Sequence, residues 1–132
     1  MQKKGIGKKI LVVDDIKDSR GLVKKILELR GYEVIEAGTG EDAINIVQTE
    51  LPDLILMDIR MPGIDGKEAT RRIRALPKVA HIPILAMTAS VKPKDKQSTI
   101  EAGCDDFIRK PIDIEQLPKQ VAEHIDRAAS LD

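Results

Sequence analysis

A single α/β domain of five strand–helix units around a parallel sheet is the fold the sequence predicts, and three observations predict it. Short apolar runs begin near residues 10, 32, 54, 84 and 106, at intervals of about 22, 22, 30 and 22 residues. Between them lie segments whose apolar residues recur at helical spacing. The chain has 132 residues, enough for one domain and no more. Strands alternating with helices imply a doubly wound sheet covered on both faces and joined by right-handed crossovers. For five units the common open order is 2-1-3-4-5, with ligands bound beyond the carboxyl ends of the strands.

Residues 1–8 carry Lys3, Lys4 and Lys8 beside Gly5 and Gly7 and are read as a basic, flexible start. The domain is placed at residues 9–128 and a short tail at 129–132. The first strand, Ile10-Leu11-Val12-Val13, is apolar without alternation, as a strand buried on both faces should be. Val23, Ile26 and Leu27 mark the first helix, with Gly31 as its C-cap. The second strand begins at Tyr32, and the second helix is marked by Ala43, Ile44 and Val47. Leu54 to Met57 form the third strand, and the helical spacing of Ala69 and Ile73 marks the third helix. The longer interval that follows is explained by a connection over residues 76–83 that contains Pro77 and Pro83. Ile84 to Met87 form the fourth strand, Gly103 ends the fourth helix, and Lys92 to Lys96 read as a solvated loop. After a fifth strand over Asp106 to Arg109, Asp113 and Gln116 resemble a capping box for a last helix striped by Ile114, Leu117, Val121, Ile125 and Ala128.

Composition excludes several functions. Lys and Arg total 22 and Asp and Glu total 22, so there is no basic excess to neutralise nucleic-acid phosphates. At 42% hydrophobic and 33% charged the chain is too apolar for disorder and too charged to hide a membrane span. Cys104 is the only cysteine and cannot form an intrachain disulfide. The apolar run at Ile10 is ended by Asp14 and Asp15, which leaves no signal-peptide core and makes the cytoplasm the expected compartment. Tyr32 and Phe107 are the only aromatic residues, which disfavours ligands held by stacking.

The strand ends carry the chemistry. Asp14 and Asp15 follow strand one, Asp58 ends strand three, Thr88 strand four, and Lys110-Pro111 strand five. Singly, such residues are ordinary turn formers and helix caps. Jointly, three carboxylates at one edge repel unless a cation intervenes. Mg²⁺ suits them, since it accepts one or two carboxylates, a backbone carbonyl and waters, and with Lys110 it would leave the cluster neutral. The same arrangement suits phosphoryl transfer, with a carboxylate as nucleophile.

The segments Val12-Val13-Asp14-Asp15, Leu56-Met57-Asp58-Ile59-Arg60-Met61-Pro62-Gly63-Ile64-Asp65-Gly66, Thr88-Ala89 and Phe107-Ile108-Arg109-Lys110-Pro111 together resemble the receiver domain of two-component response regulators. The resemblance covers about residues 9 to 127. It implies the flavodoxin-like (βα)5 fold of a chemotaxis-regulator-like receiver, standing alone or belonging to a longer chain such as a hybrid kinase. By resemblance, Asp58 is the phosphoacceptor, and Asp14, Asp15, Asp58 and the backbone carbonyl of Arg60 hold Mg²⁺. Thr88 and Lys110 bind phosphoryl oxygens, the Lys110–Pro111 peptide is cis, and Thr88 with Phe107 forms the switch. The implied phosphodonor is a sensor histidine kinase or a histidine phosphotransfer protein. The implied output is a downstream protein reached through helix four, strand five and helix five, with no direct nucleic-acid or membrane contact. Arg60 and Ser90 match positions that flank the approach of the hydrolytic water, with small Ala89 leaving the phosphoryl group open.

Two other classes are less well matched. A haloacid-dehalogenase-like phosphatase needs a second Asp two residues after its nucleophile on the first strand, and position 16 is Ile. A flavodoxin-like electron carrier needs a phosphate loop where Asp14 and Asp15 stand. His81 and His124 lack metal-ligand spacing, Cys104 reads as a small buried residue, and Met57, Met61 and Met87 read as core.

Overall fold

Five strands alternate with five helices in the computed structural model, which describes residues 7–90 and 92–130. They are β1 (Lys9–Val13), α1 (Lys17–Glu28), β2 (Glu33–Ala37), α2 (Gly40–Glu50), β3 (Leu54–Asp58), α3 (Gly66–Arg74), β4 (Ile84–Thr88), α4 (Pro93–Ala102), β5 (Asp106–Arg109) and α5 (Gln116–Ser130). Most of the basic start, residues 1–6, lies outside the described residues. The sheet is parallel throughout, in the order β2-β1-β3-β4-β5.

Strand pleating explains why the runs are apolar at every position. Leu11, Val13, Ile55, Met57, Ile84 and Ala86 face one core with Ala43, Val47, Ala69 and Ile73 of α2 and α3. Their neighbours Ile10, Val12, Leu54, Leu56, Leu85 and Met87 face a second core with α1 and α5. Each large side chain buried this way contributes roughly 1.5–3 kcal/mol relative to exposure. The helix ends obey the glycine signals. Gly31, at φ +93°, donates to Glu28 while Tyr32 donates to Leu27, and Gly103, at φ +115°, repeats the pattern with Ile100 and Thr99.

Three sequence expectations need correction. Pro93 to Lys96 form the first turn of α4, with Lys92 as its cap residue, where a loop was expected. Proline is tolerated there because the first helical N–H has no intrahelical acceptor. Ile114 is 62% exposed and precedes α5, so the buried stripe begins at Leu117. Asp113 does cap that helix, accepting from the N–H groups of Glu115 and Gln116. Finally, α5 continues to Ser130, into the segment expected as a tail. The long connection before β4 is pinned by Arg74, which donates to the carbonyls of Ala80, Ile82 and Gly103 and pairs with Asp105 at 2.8 Å.

Polar ties dock α5 on β5. His124 Nε2 lies 2.8 Å from Asp106 Oδ2, and Gln120 donates to the carbonyl of Phe107. Burial raises the Asp106 pKa, but the hydrogen bonds from His124 and the Phe107 N–H outweigh it and hold the carboxyl below its usual range. A depressed folded pKa stabilises the fold above the unfolded value and is lost as pH falls through the folded one. Asp106→Asn should therefore cost up to about 1 kcal/mol at pH 7, discounted for partial exposure, and progressively less in acid. Urea unfolding between pH 7 and the acid limit of the fold checks this, and a cost independent of pH would assign the effect to packing.

Candidate functional site

Register brings the strand ends together. Val13 pairs with Met57, so Asp14 and Asp58 emerge side by side. Asp58 pairs with Met87 and Thr88 with Arg109, so Thr88 and Lys110 follow, one step further along each strand. Four sequence-predicted residues thus share one edge because each lies at or just past the end of its strand.

Asp14 is fully buried and closely held. Its Oδ1 accepts from the N–H of Ile16 at 2.9 Å and its Oδ2 from the Ser19 hydroxyl at 2.7 Å. Arg20 donates to the Asp14 carbonyl at 2.7 Å and is itself oriented by Glu36 on β2. Lys110 Nζ stands 3.3 Å from Asp14 Oδ2 and 3.3 Å from Asp58 Oδ1, bridging the two acids. Its backbone N–H donates to the Thr88 carbonyl, and the Lys110–Pro111 peptide is cis, as the resemblance implied. Asp58 is 5% exposed. Burial, reinforced by the charge of Asp14, pushes its pKa up to about 6 against the opposing pull of Lys110 and the Arg60 N–H.

The loop after Asp58 explains its glycines. A Cβ at Gly66 would lie 2.1 Å from the Asp58 carbonyl oxygen, so only glycine lets α3 start this close to the site. Asp65 caps that helix by accepting from the Glu68 N–H at 2.8 Å. Gly63 takes φ +77° in the same loop.

Carboxylate oxygens of Asp14, Asp15 and Asp58 all lie within 4.8 Å of one another, with Asp15 exposed. Three oxygen donors that close, open to solvent on one side, fit a hard divalent cation that keeps part of its water shell. Thr88 Oγ1 accepts from the Ser90 N–H at 3.1 Å. Phe107 is half-buried against the core, with Lys96 Nζ 5.8 Å from its ring centre. A cleft of about 510 Å³ opens beside these residues between the β3–α3 loop and α4, with Arg60, Thr88, Ser90 and Asp95 in its walls.

The remaining candidates lie elsewhere. His124 packs on β5, His81 is exposed, and Cys104 is buried against Thr70. Met57, Met61 and Met87 are core. Sequence reasoning missed Ser19 and Arg20; for Ser19, its place in the first turn after an acidic pair is a usable signal. It also missed Asp95, an acid in the first turn of α4.

Fold and edge together define a class, doubly wound α/β domains with a carboxylate cluster fitted to a divalent cation and phosphoryl chemistry, and comparison with known proteins makes the assignment specific. A family model described as the response regulator receiver domain matches residues 10–122. Sensor protein GacS of Pseudomonas syringae pv. syringae is 41% identical over 116 residues, which cover 86% of this chain and 13% of GacS. The polar-differentiation response regulator DivK of Brucella ovis is 31% identical over 118 residues, covering 89% of this chain and 96% of DivK. The crystal structure of the receiver domain of sensor histidine kinase PA1611 from Pseudomonas aeruginosa, which has a magnesium ion coordinated in its active-site cleft, matches with a TM-score of 0.85 at 32% identity. That match covers 91% of this chain and 98% of the other. The chain belongs to the response regulator receiver domain family and is a phosphorylation-controlled switch of two-component signalling.

Proposed function

We propose that Asp58 accepts a phosphoryl group from the phosphohistidine of a sensor histidine kinase or a histidine phosphotransfer protein in the cytoplasm. The observation that carries this is the placement of Asp58, buried beside Asp14 and bridged to it by Lys110 at 3.3 Å. A carboxylate oxygen of Asp58 bonds to phosphorus as the phosphorus–nitrogen bond breaks and its electron pair returns to the imidazole. Mg²⁺, held by Asp14, Asp15, Asp58 and the Arg60 carbonyl, would neutralise charge on the phosphoryl oxygens. Lys110 turns from its two carboxylates to one phosphoryl oxygen, and the Thr88 hydroxyl donates to another. Water later returns Asp58 to the free carboxylate.

Output follows from Thr88. Its hydroxyl oxygen is engaged with the Ser90 N–H, and a charged phosphoryl partner draws it away. Space opens behind it beside Phe107, whose inward rotation changes the face formed by α4, β5 and α5 that a downstream protein reads. Phe107 lacks a phenolic hydroxyl, so no side-chain hydrogen bond holds it outward. NMR of the Phe107 ring with and without beryllofluoride, a phosphoryl mimic, should show a changed environment together with shifts across residues 88–125. An unmoved ring with no such shifts would refute the coupling.

The metal assignment has its own test. A cation that relieves repulsion among Asp14, Asp15 and Asp58 stabilises only the folded chain, by about 2.7 kcal/mol at a hundred times its dissociation constant. Mg²⁺ should therefore raise the melting temperature of the wild type and do so far less in Asp15→Ala. An equal response in the variant would place the metal elsewhere.

A further inference from the structure

We infer that Asp95 is a positioning residue for release of the phosphoryl group, fixing the Ser90 hydroxyl so that it presents only lone pairs to the attacking water. The inference rests on Asp58 being the phosphoacceptor. Ser90 Oγ donates its proton to Asp95 Oδ2. A serine hydroxyl has one proton and two lone pairs. With the proton committed to Asp95, the oxygen can only accept. One lone pair faces the Lys92 N–H at 3.4 Å, which leaves the other free.

Several contacts keep Asp95 in place. Ser98 and Thr99 donate their hydroxyls to the Asp95 carbonyl, at 3.0 and 2.8 Å, and Lys67 of α3 donates to Ser98 at 3.2 Å. The Ser90 hydroxyl bond, aided by the charges of Lys92, Lys67 and Arg60, holds the Asp95 carboxyl below its usual range, so it is an acceptor at neutral pH. Ser90 lies two residues past Thr88, and before phosphorylation its N–H donates to Thr88 Oγ1. Ser90, Asp95, Thr88 and Arg60 all line the 510 Å³ cleft beside this end of the sheet.

The polarity of this arrangement decides its effect. Hydrolysis forms a bond from the water oxygen to phosphorus and breaks the bond from phosphorus to Asp58, whose carboxylate keeps the electron pair. Both water protons leave on dihydrogen phosphate. A neighbour that accepts a hydrogen from the water leaves its oxygen lone pair aimed at phosphorus, whereas a donor ties that lone pair up. Ser90 backed by Asp95 is the first kind of neighbour. Ser90 without Asp95 rotates freely and becomes either.

The experiment labels the full chain with acetyl phosphate and Mg²⁺, removes the donor, and follows the label by intact mass, normalised to its starting value. Asp95→Ala and Ser90→Ala should each lengthen the half-life roughly 5-fold, the worth of about one neutral hydrogen bond. The double variant should decay no more slowly than Ser90→Ala alone, and Asp95→Glu should recover part of the wild-type rate. An unchanged half-life in Asp95→Ala overturns the inference. So does a further lengthening by Asp95→Ala in the Ser90→Ala background, which would route the effect through Arg60. If Asp95→Ala fails to fold, the half-lives of Asp95→Glu and Ser90→Ala decide, and wild-type decay rates in both overturn it. A wild type that takes no label overturns the Asp58 assignment itself, and the inference with it.

Discussion

Replacing Asp58 with asparagine is expected to abolish phosphoryl acceptance. After exposure to acetyl phosphate and Mg²⁺, intact-mass measurement should find one added phosphoryl group on the wild type and none on Asp58→Asn. The amide supplies no anionic oxygen to bond phosphorus. Neither neighbouring acid is placed to take over. Asp14 is fully buried and already accepts from Ile16, Ser19 and Lys110, and Asp15 lies on the exposed side of the cluster. Equal labelling of the variant would move the acceptor to one of these two and sink the assignment.

The same substitution should stabilise the domain when no divalent cation is present. Asp58 has its folded pKa raised from 3.8 to about 6, chiefly by burial. A carboxyl with a raised folded pKa destabilises the fold when it ionises, so the cost is absent below the unfolded value and fully present above the folded one. Asp58→Asn should thus be more stable than wild type at pH 7.5, by on the order of 1–3 kcal/mol, and no more stable near pH 4. Mg²⁺ should close the gap by stabilising the wild type more. A variant equally stabilised at both pH values would show that charge is not the cause.

How much of this could be read from sequence depends on where each residue gets its position. Asp14, Asp58, Thr88 and Lys110 stand at or just past apolar strands, and parallel pairing in the order β2-β1-β3-β4-β5 carries them to one edge. Periodicity alone therefore located them. Helix α4 was harder, because it buries only Thr99 and Ala102 and so shows no apolar stripe. Its start rests on Pro93 and on an acid in its first turn, signals that a solvated loop can share. The supports of the site were hidden for a different reason. Arg20 and Arg74 act through backbone carbonyls that chain folding brings to them, and no spacing in the sequence encodes those partners.

Removing the bridging amine by Lys110→Ala is expected to destabilise the metal-free domain strongly at alkaline pH and hardly at all once either protons or Mg²⁺ replace the lost charge. The amine lies 3.3 Å from both Asp14 and Asp58, two carboxylates that are 0% and 5% exposed. Breaking a buried ion pair by deleting one partner costs about 3–5 kcal/mol when nothing compensates. Here two compensations exist, and both give the prediction its shape. Without the amine, which holds the Asp58 pKa down, burial and Asp14 push it further above its unfolded value. The variant then keeps one carboxyl protonated to higher pH, so its deficit grows as pH rises from 5 to 8. A divalent cation held by the three clustered carboxylates supplies the missing charge at any of these pH values. Thermal melts over that pH range, with and without Mg²⁺, should therefore show a larger Mg²⁺ response in Lys110→Ala than in wild type. A deficit unchanged by both pH and Mg²⁺ would mean that Lys110 supports the fold through the packing of its alkyl stem, and that its charge is not what holds Asp14 and Asp58 together.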